Sequence, residues 1–212
     1  MKIRILFLTV IIICFSFNMV LCSPKKVAIL VYDEVYLMDF AGPLEIFNDC
    51  YSDDTTKCFD VFLVAEKKET IKAHTGTGII PDYDFSECPR ADILVIPGGN
   101  LNLVKEKKNV ADFILKMDEQ TEITMSVCTG AFILAELGLL NDLEATTWYG
   151  AKKRLKQKYP LINVVDKRVT DNGKYITTAG VSAGVDGALH IVKKLFGEET
   201  AKKTAKYIEW DK

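Results

Sequence analysis

The chain has no excess of charge of either sign. Its 27 Lys and Arg residues are set against 29 Asp and Glu residues, for a formal net charge of −2. At that balance nothing argues for the clustered basic face that a nucleic-acid partner requires, and none is expected. The local runs KEKK and AKKRLKQK read as solvated helix faces. Internal repeats, low-complexity tracts and interdomain linkers are absent. With 49% hydrophobic residues in 212, the chain supports one sizeable core rather than two domains. Histidine is scarce: His74 and His190 are the two present. No metal or cofactor is expected.

There is one long uncharged apolar run. Lys2 and Arg4 precede it, it spans Ile5 to Cys22, and Ser-Pro-Lys-Lys follows. That is the order of a secretory signal. Residues 1–23 are expected to be a signal peptide, or a membrane anchor if uncleaved, and residues 24–212 the folded domain. Export to a secreted, periplasmic or secretory-pathway location follows. No stable membrane insertion is expected unless the leader is retained.

Export alters how six cysteines are read. Cys14 and Cys22 belong to the leader. Cys50 and Cys58 flank the polar loop CYSDDTTKC and are candidates for a disulfide in an oxidising compartment. The alternative is two free thiols that sit near each other. Cys88 falls in a turn-like stretch with no assigned role.

The remaining sequence alternates strands and helices. KKVAILVY, CFDVFLVAE, ADILVIPGGN and EITMSV read as core strands. A helix follows Gly42-Pro43, the proline suiting a first turn. KKNVADFILKMDEQ, TGAFILAELGLL, YGAKKRLKQKY, SAGVDGALHIVKKLFG and EETAKKTAKYIEW read as helices. Hairpins are expected over TIKAHTGTGIIPDYDFSE and around the Asp-Asn-Gly turn of NVVDKRVTDNGKYITTAG. The fold class is α/β: a single domain with a mostly parallel sheet sandwiched by helices.

Ligands in such folds bind beyond the carboxyl ends of the strands. Three features fall there. Cys128 lies between a strand and a helix, resembling a nucleophile elbow although G-x-S-x-G itself is absent. A helix N-terminus there favours thiolate and a lowered pKa, and Thr129 and Gly130 offer a tight turn. Gly98, Gly99 and Asn100 end another strand, where backbone N–H groups can stabilise an anion. Asp39 and Glu45 follow the first strand, and a carboxyl near the thiol can move protons. Taken separately, each has a plainer explanation: a buried inert cysteine, an ordinary βα turn, an N-cap and a solvated helix residue.

Together, MDFAGPLEIF, DILVIPGGN, SVCTGAFILAELGLLNDLEATTWYG and TAGVSAGVDGALHIVKKLFGEETAKKTAKYIEWD resemble the ThiJ/PfpI superfamily. Its fold is class I glutamine amidotransferase-like, a flavodoxin-like architecture. The likeness runs from Val27 to the C-terminus and is strongest to isonitrile hydratases and to the sensor domains of certain AraC-type regulators. It implies that Cys128 is the nucleophile, Glu45 the acid that approaches it, Asp39 an aspartate associated with hydratase activity and Thr129 the threonine beside the thiol. Gly98 and Gly99 would line the pocket, and the protein would form a homodimer acting on a small molecule.

One departure stands out. The resemblance implies a histidine after the elbow helix, as relatives commonly have, whereas this chain has Trp148 in ATTWYG. His190 lies on an apolar helical stripe and reads as structural. A Cys-His-acid hydrolase or protease is therefore disfavoured. Hydratase chemistry through thiol and carboxyl groups survives, with Trp148 an apolar pocket wall. The alternatives are a non-catalytic small-molecule binder and a redox- or aldehyde-responsive protein using Cys128.

Overall fold

The structure, a computed structural model, describes residues 23–53, 55–102 and 107–210. The expected leader lies outside the described residues, apart from its last position.

Eleven strands and six helices are described, in the order β1 (Lys25–Leu30), α1 (Leu37–Asn48), β2 (Phe59–Ala65), β3 (Ile71–Lys72), β4 (Gly78–Ile79), β5 (Tyr83–Asp84), β6 (Ile93–Ile96), α2 (Lys108–Gln120), β7 (Ile123–Ser126), α3 (Ala131–Glu136), β8 (Glu144–Ala145), α4 (Lys152–Lys158), β9 (Asn163–Val164), β10 (Val169–Asp171), β11 (Tyr175–Thr178), α5 (Ala183–Phe196) and α6 (Glu198–Tyr207). Seven strands form one sheet in the order β10-β11-β7-β6-β1-β2-β5. Every neighbouring pair in it is parallel except β10 with β11.

The alternation within β1 explains the two layers of helices. Val27 and Ile29 pack into a core with α1, α5 and α6, whereas Ala28 and Leu30 pack into a second core with α2, α3 and α4. A strand buried on both faces must be apolar at every position, hence VAIL rather than an alternating pattern. β1 has β2 on one side and β6 on the other, so the chain reverses direction across the sheet between β1 and β6. A crevice opens at such a switch point beyond the strand ends.

The two expected hairpins are β3–β4 and β10–β11. Two expectations are corrected. α1 begins at Leu37 rather than after Gly42-Pro43, so Pro43 lies inside the helix and Asp39 in its first turn. The helix after Cys128 is short: a 3₁₀ turn over Cys128–Gly130 and then six residues of α3.

Cys50 and Cys58 are both buried and are free thiols in contact, with the Cys58 N–H donating to the Cys50 carbonyl at 2.9 Å. Of the two alternatives for this pair, the structure has the free thiols. Burial raises both thiol pKa values and so disfavours the thiolate through which a disulfide forms.

Candidate active site

Four adjacent strand ends supply the site. Cys128 follows β7 with φ of 56°. This left-handed backbone turns the chain from strand to helix at once. The Thr147 hydroxyl donates to the Cys128 carbonyl at 2.6 Å, and the Cys128 N–H donates to Ala179 beyond β11 at 2.9 Å. The side chain is 4% exposed.

Asp39, fully buried, reaches the site from the first turn of α1. Its Oδ2 accepts the Gly98 N–H at 2.9 Å. Its Oδ1 is buried with no hydrogen-bond partner of standard geometry among the described residues. The Cys128 thiol and the Val181 N–H interact with the same carboxyl. The acid that approaches the thiol is therefore Asp39, and the role expected of Glu45 is corrected. Six residues of α-helix rotate a side chain about 120° away from the first, and Glu45 is exposed on α1.

The glycine turn is also used differently from the expectation. The Gly98 N–H is spent on Asp39, the Gly99 N–H donates to Thr129 Oγ1 at 3.2 Å and the Asn100 N–H donates to the Glu34 carbonyl at 3.2 Å. None of the three is left for an anion. The amides that face the sulfur are those of Thr129 and Val181. Val181 is β-branched, yet it holds φ of 50°. Such strain persists only where the surroundings enforce it. Gly98 must be glycine because a Cβ there would lie 2.6 Å from Thr129 Oγ1 and 2.7 Å from Asp39 Oδ2.

Burial dominates the site's electrostatics. It pushes the Asp39 carboxyl up to about 7, against the pull of the Gly98 amide, the Cys128 thiol and the Val181 amide. The Cys128 thiol is pushed up to about 12, first by burial and then by the charge of Asp39, with the Thr129 and Val181 amides opposing. The lowered thiol pKa expected from a helix N-terminus is thus corrected, since one short helix does not outweigh burial beside a carboxylate. Burial and the same two groups raise Tyr32 well above the usual phenol range. Its hydroxyl donates to the Pro97 carbonyl at 2.9 Å, just before the glycine turn.

Above Cys128 opens a cavity of about 310 Å³ whose lining includes Tyr36, Gly99, Thr129, Trp148, Arg154 and Val181. Trp148 forms a wall, as expected. Its indole fits because two of its neighbours are glycines: a Cβ on Gly150 or Gly180 would approach the ring to 2.6 or 2.5 Å. Asn100 is exposed and lines an adjoining cavity instead. Neither histidine lines the Cys128 cavity. The His74 ring lies tilted against Tyr36 with centroids 4.2 Å apart, and His190 Nε2 is 2.8 Å from Asp171 Oδ2. The structure thus brings together Cys128, Asp39, Thr129, Gly98, Gly99 and Trp148. It adds Tyr32, Tyr36, Thr147, Arg154 and Val181, which carry no local sequence signal.

The model of the DJ-1/PfpI family matches residues 25–194. The chain belongs to that family. This DJ-1/PfpI domain is 30% identical over 186 residues to the isonitrile hydratase of Pseudomonas putida, covering 87% of the chain and 78% of that protein. It is 26% identical over 142 residues to protein dj-1beta of Drosophila melanogaster, covering 65% of the chain and 75% of that protein. Among solved structures, a ThiJ/PfpI family protein from Pseudomonas syringae superimposes with a TM-score of 0.81 at 27% identity, covering 90% of this chain and 76% of that one. The mostly parallel sheet between two helical layers is the DJ-1/PfpI fold.

Proposed function

We propose that this DJ-1/PfpI domain is a cysteine-dependent hydratase that adds water to a small isonitrile. The observation that carries the reading is the Asp39 carboxyl set against the Cys128 thiol beneath a largely apolar cavity. The similarity to the Pseudomonas putida isonitrile hydratase supports the substrate class.

The chemistry follows from that pair. Asp39, as carboxylate, accepts the thiol proton while Cys128 Sγ bonds to the terminal carbon of R–N≡C. The proton returns from Asp39 to the same carbon, giving the covalent thioimidate R–N=CH–S–Cys. Water then adds across the C=N bond, its hydroxyl going to carbon and its proton, by way of Asp39, to nitrogen. Collapse of R–NH–CH(OH)–S–Cys breaks the C–S bond, returns the hydroxyl proton to sulfur through Asp39 and releases R–NH–CHO. One water is consumed and nothing is oxidised or reduced. The Thr129 and Val181 amides hold the sulfur as it takes up negative charge.

The test is turnover of a panel of isonitriles to formamides by the purified protein, with Cys128→Ser and Asp39→Asn as controls and mass spectrometry for the thioimidate. Turnover lost in both variants supports the reading, and no turnover with any isonitrile refutes it. The high thiol pKa favours one second reading, a pocket that binds a small molecule without turnover; tight binding with no adduct would select it. We also propose export of the domain and a homodimer, from the leader's composition and the family resemblance respectively. N-terminal sequencing of the mature protein and its mass in solution test them.

A further inference from the structure

We propose that Arg154 reads a carboxylate on the substrate, so that the cavity takes short ω-isocyano acids in preference to neutral isonitriles. Among the described residues that line the Cys128 cavity, Arg154 is the only one with a formally charged side chain. It also lines the adjoining cavity of about 260 Å³, and Gly99 and Thr129 are shared between the two. The guanidinium therefore stands at their seam. Its Cζ lies 4.7 Å from the centre of the Phe132 ring. Phe132 is 1% exposed and sits in α3, immediately beyond the Cys128 turn. The ring face attracts the cation without consuming its N–H donors, which stay available to a ligand.

The other basic residues of α4 are either paired or outside both cavities. Lys152 pairs with Asp166, Lys158 lines the adjoining cavity but pairs with Glu136 at 2.8 Å, and Lys153 and Lys156 line neither cavity. Among the described residues Arg154 makes no ion pair. A single cation with a planar fork suits a singly charged, planar anion, which is a carboxylate. Cys128 and Trp148 define the other end of the ligand: a reactive carbon over the sulfur and a short apolar spacer along the indole. The identity of the reacting end rests on the hydratase reading; the anionic end does not.

The experiment compares kcat/KM for 3-isocyanopropanoate and its methyl ester in the wild type, Arg154→Gln and Arg154→Lys, with circular dichroism to confirm folding. The acid is expected to be preferred at least tenfold. Arg154→Gln should reduce that preference about tenfold or more, mainly through KM, and Arg154→Lys should retain part of it. In parallel, 3-formamidopropanoate and its amide are tested for protection of Cys128 against iodoacetamide. The carboxylate should protect the wild type better than the amide, and Arg154→Gln should lose the difference. Carboxylate-specific protection without turnover of either isonitrile would overturn the hydratase reading and leave the anion site standing. Equal turnover of acid and ester, with protection indifferent to charge or unchanged in Arg154→Gln, would overturn the anion site and leave the hydratase reading intact.

Discussion

Replacing Asp39 by Asn should make the protein more stable while disabling it. The carboxyl is buried, and its pKa stands at about 7 against 3.8 for an unperturbed aspartate. The folded state thus binds the proton more tightly than the unfolded chain, and ionisation works against folding. At roughly 1.4 kcal/mol per pKa unit, keeping Asp39 ionised in the folded protein costs about 4 kcal/mol. The sign follows from linkage. Stability is greatest when Asp39 is protonated in both states, declines as pH rises from the unfolded pKa to the folded one, and levels off above about 7. Asn keeps an oxygen that can accept the Gly98 N–H and has no charge to desolvate. Asp39→Asn should therefore exceed the wild type by less than about 1 kcal/mol at pH 4 and by roughly 2–4 kcal/mol at pH 8. Urea unfolding at pH 4, 6 and 8, with the m-value checked for constancy, measures this. A gap that does not grow with pH, or a variant less stable at pH 8, would refute the reasoning. In the same variant turnover should fall by at least about a hundredfold, because the proton carrier is gone.

Further outcomes follow from the same geometry. Alkylation of Cys128 should be slow at neutral pH and accelerate towards pH 12; Asp39→Asn, which removes a charge that raises the thiol pKa, should label faster at pH 8, as mass spectrometry of the modified peptide would show. Turnover should rise with pH through a midpoint near 7, as Asp39 ionises, and a flat profile from pH 5 to 9 would argue against Asp39 as the base. Gly98→Ala should cost about 1–3 kcal/mol in thermal unfolding and most of the activity, because its Cβ displaces both Asp39 and Thr129. Gly180→Ala should drive the indole from its seat, reshaping the cavity and shifting the relative kcat/KM of slim and bulky isonitriles.

Much of this was legible in the chain, and the misreadings share a cause. VAIL in β1 and ILVI in β6 betray strands buried on both faces because no polar residue interrupts them. Asp-Asn-Gly betrays the β10–β11 turn, where Gly173 takes φ of 88°. Cys128 is marked by its place between a strand and a short helix. The resemblance implies the wrong carboxyl, Glu45, because where α1 begins decides which acid faces the thiol: Pro43 looks like a first turn, yet the helix begins six residues earlier and carries Asp39 on its buried face. The thiol pKa was misjudged because a helix N-terminus is visible in sequence and depth of burial is not. The donors were misassigned because Gly98 and Gly99 look free until their partners on α1 and at the Cys128 turn come into place. Arg154 and Val181 lie 26 and 53 positions beyond Cys128. They join it through the order of strands in the sheet, which no local pattern encodes.

The clasp around Trp148 ties three positions of the pocket together. An indole fits at 148 only where positions 150 and 180 are glycine, because a side chain at either would strike the ring. A histidine at 148 would in turn leave two side-chain-free walls facing a smaller ring. Three positions spread over 33 residues therefore behave as a single unit, and the pocket is reshaped by exchanging all three together rather than any one alone.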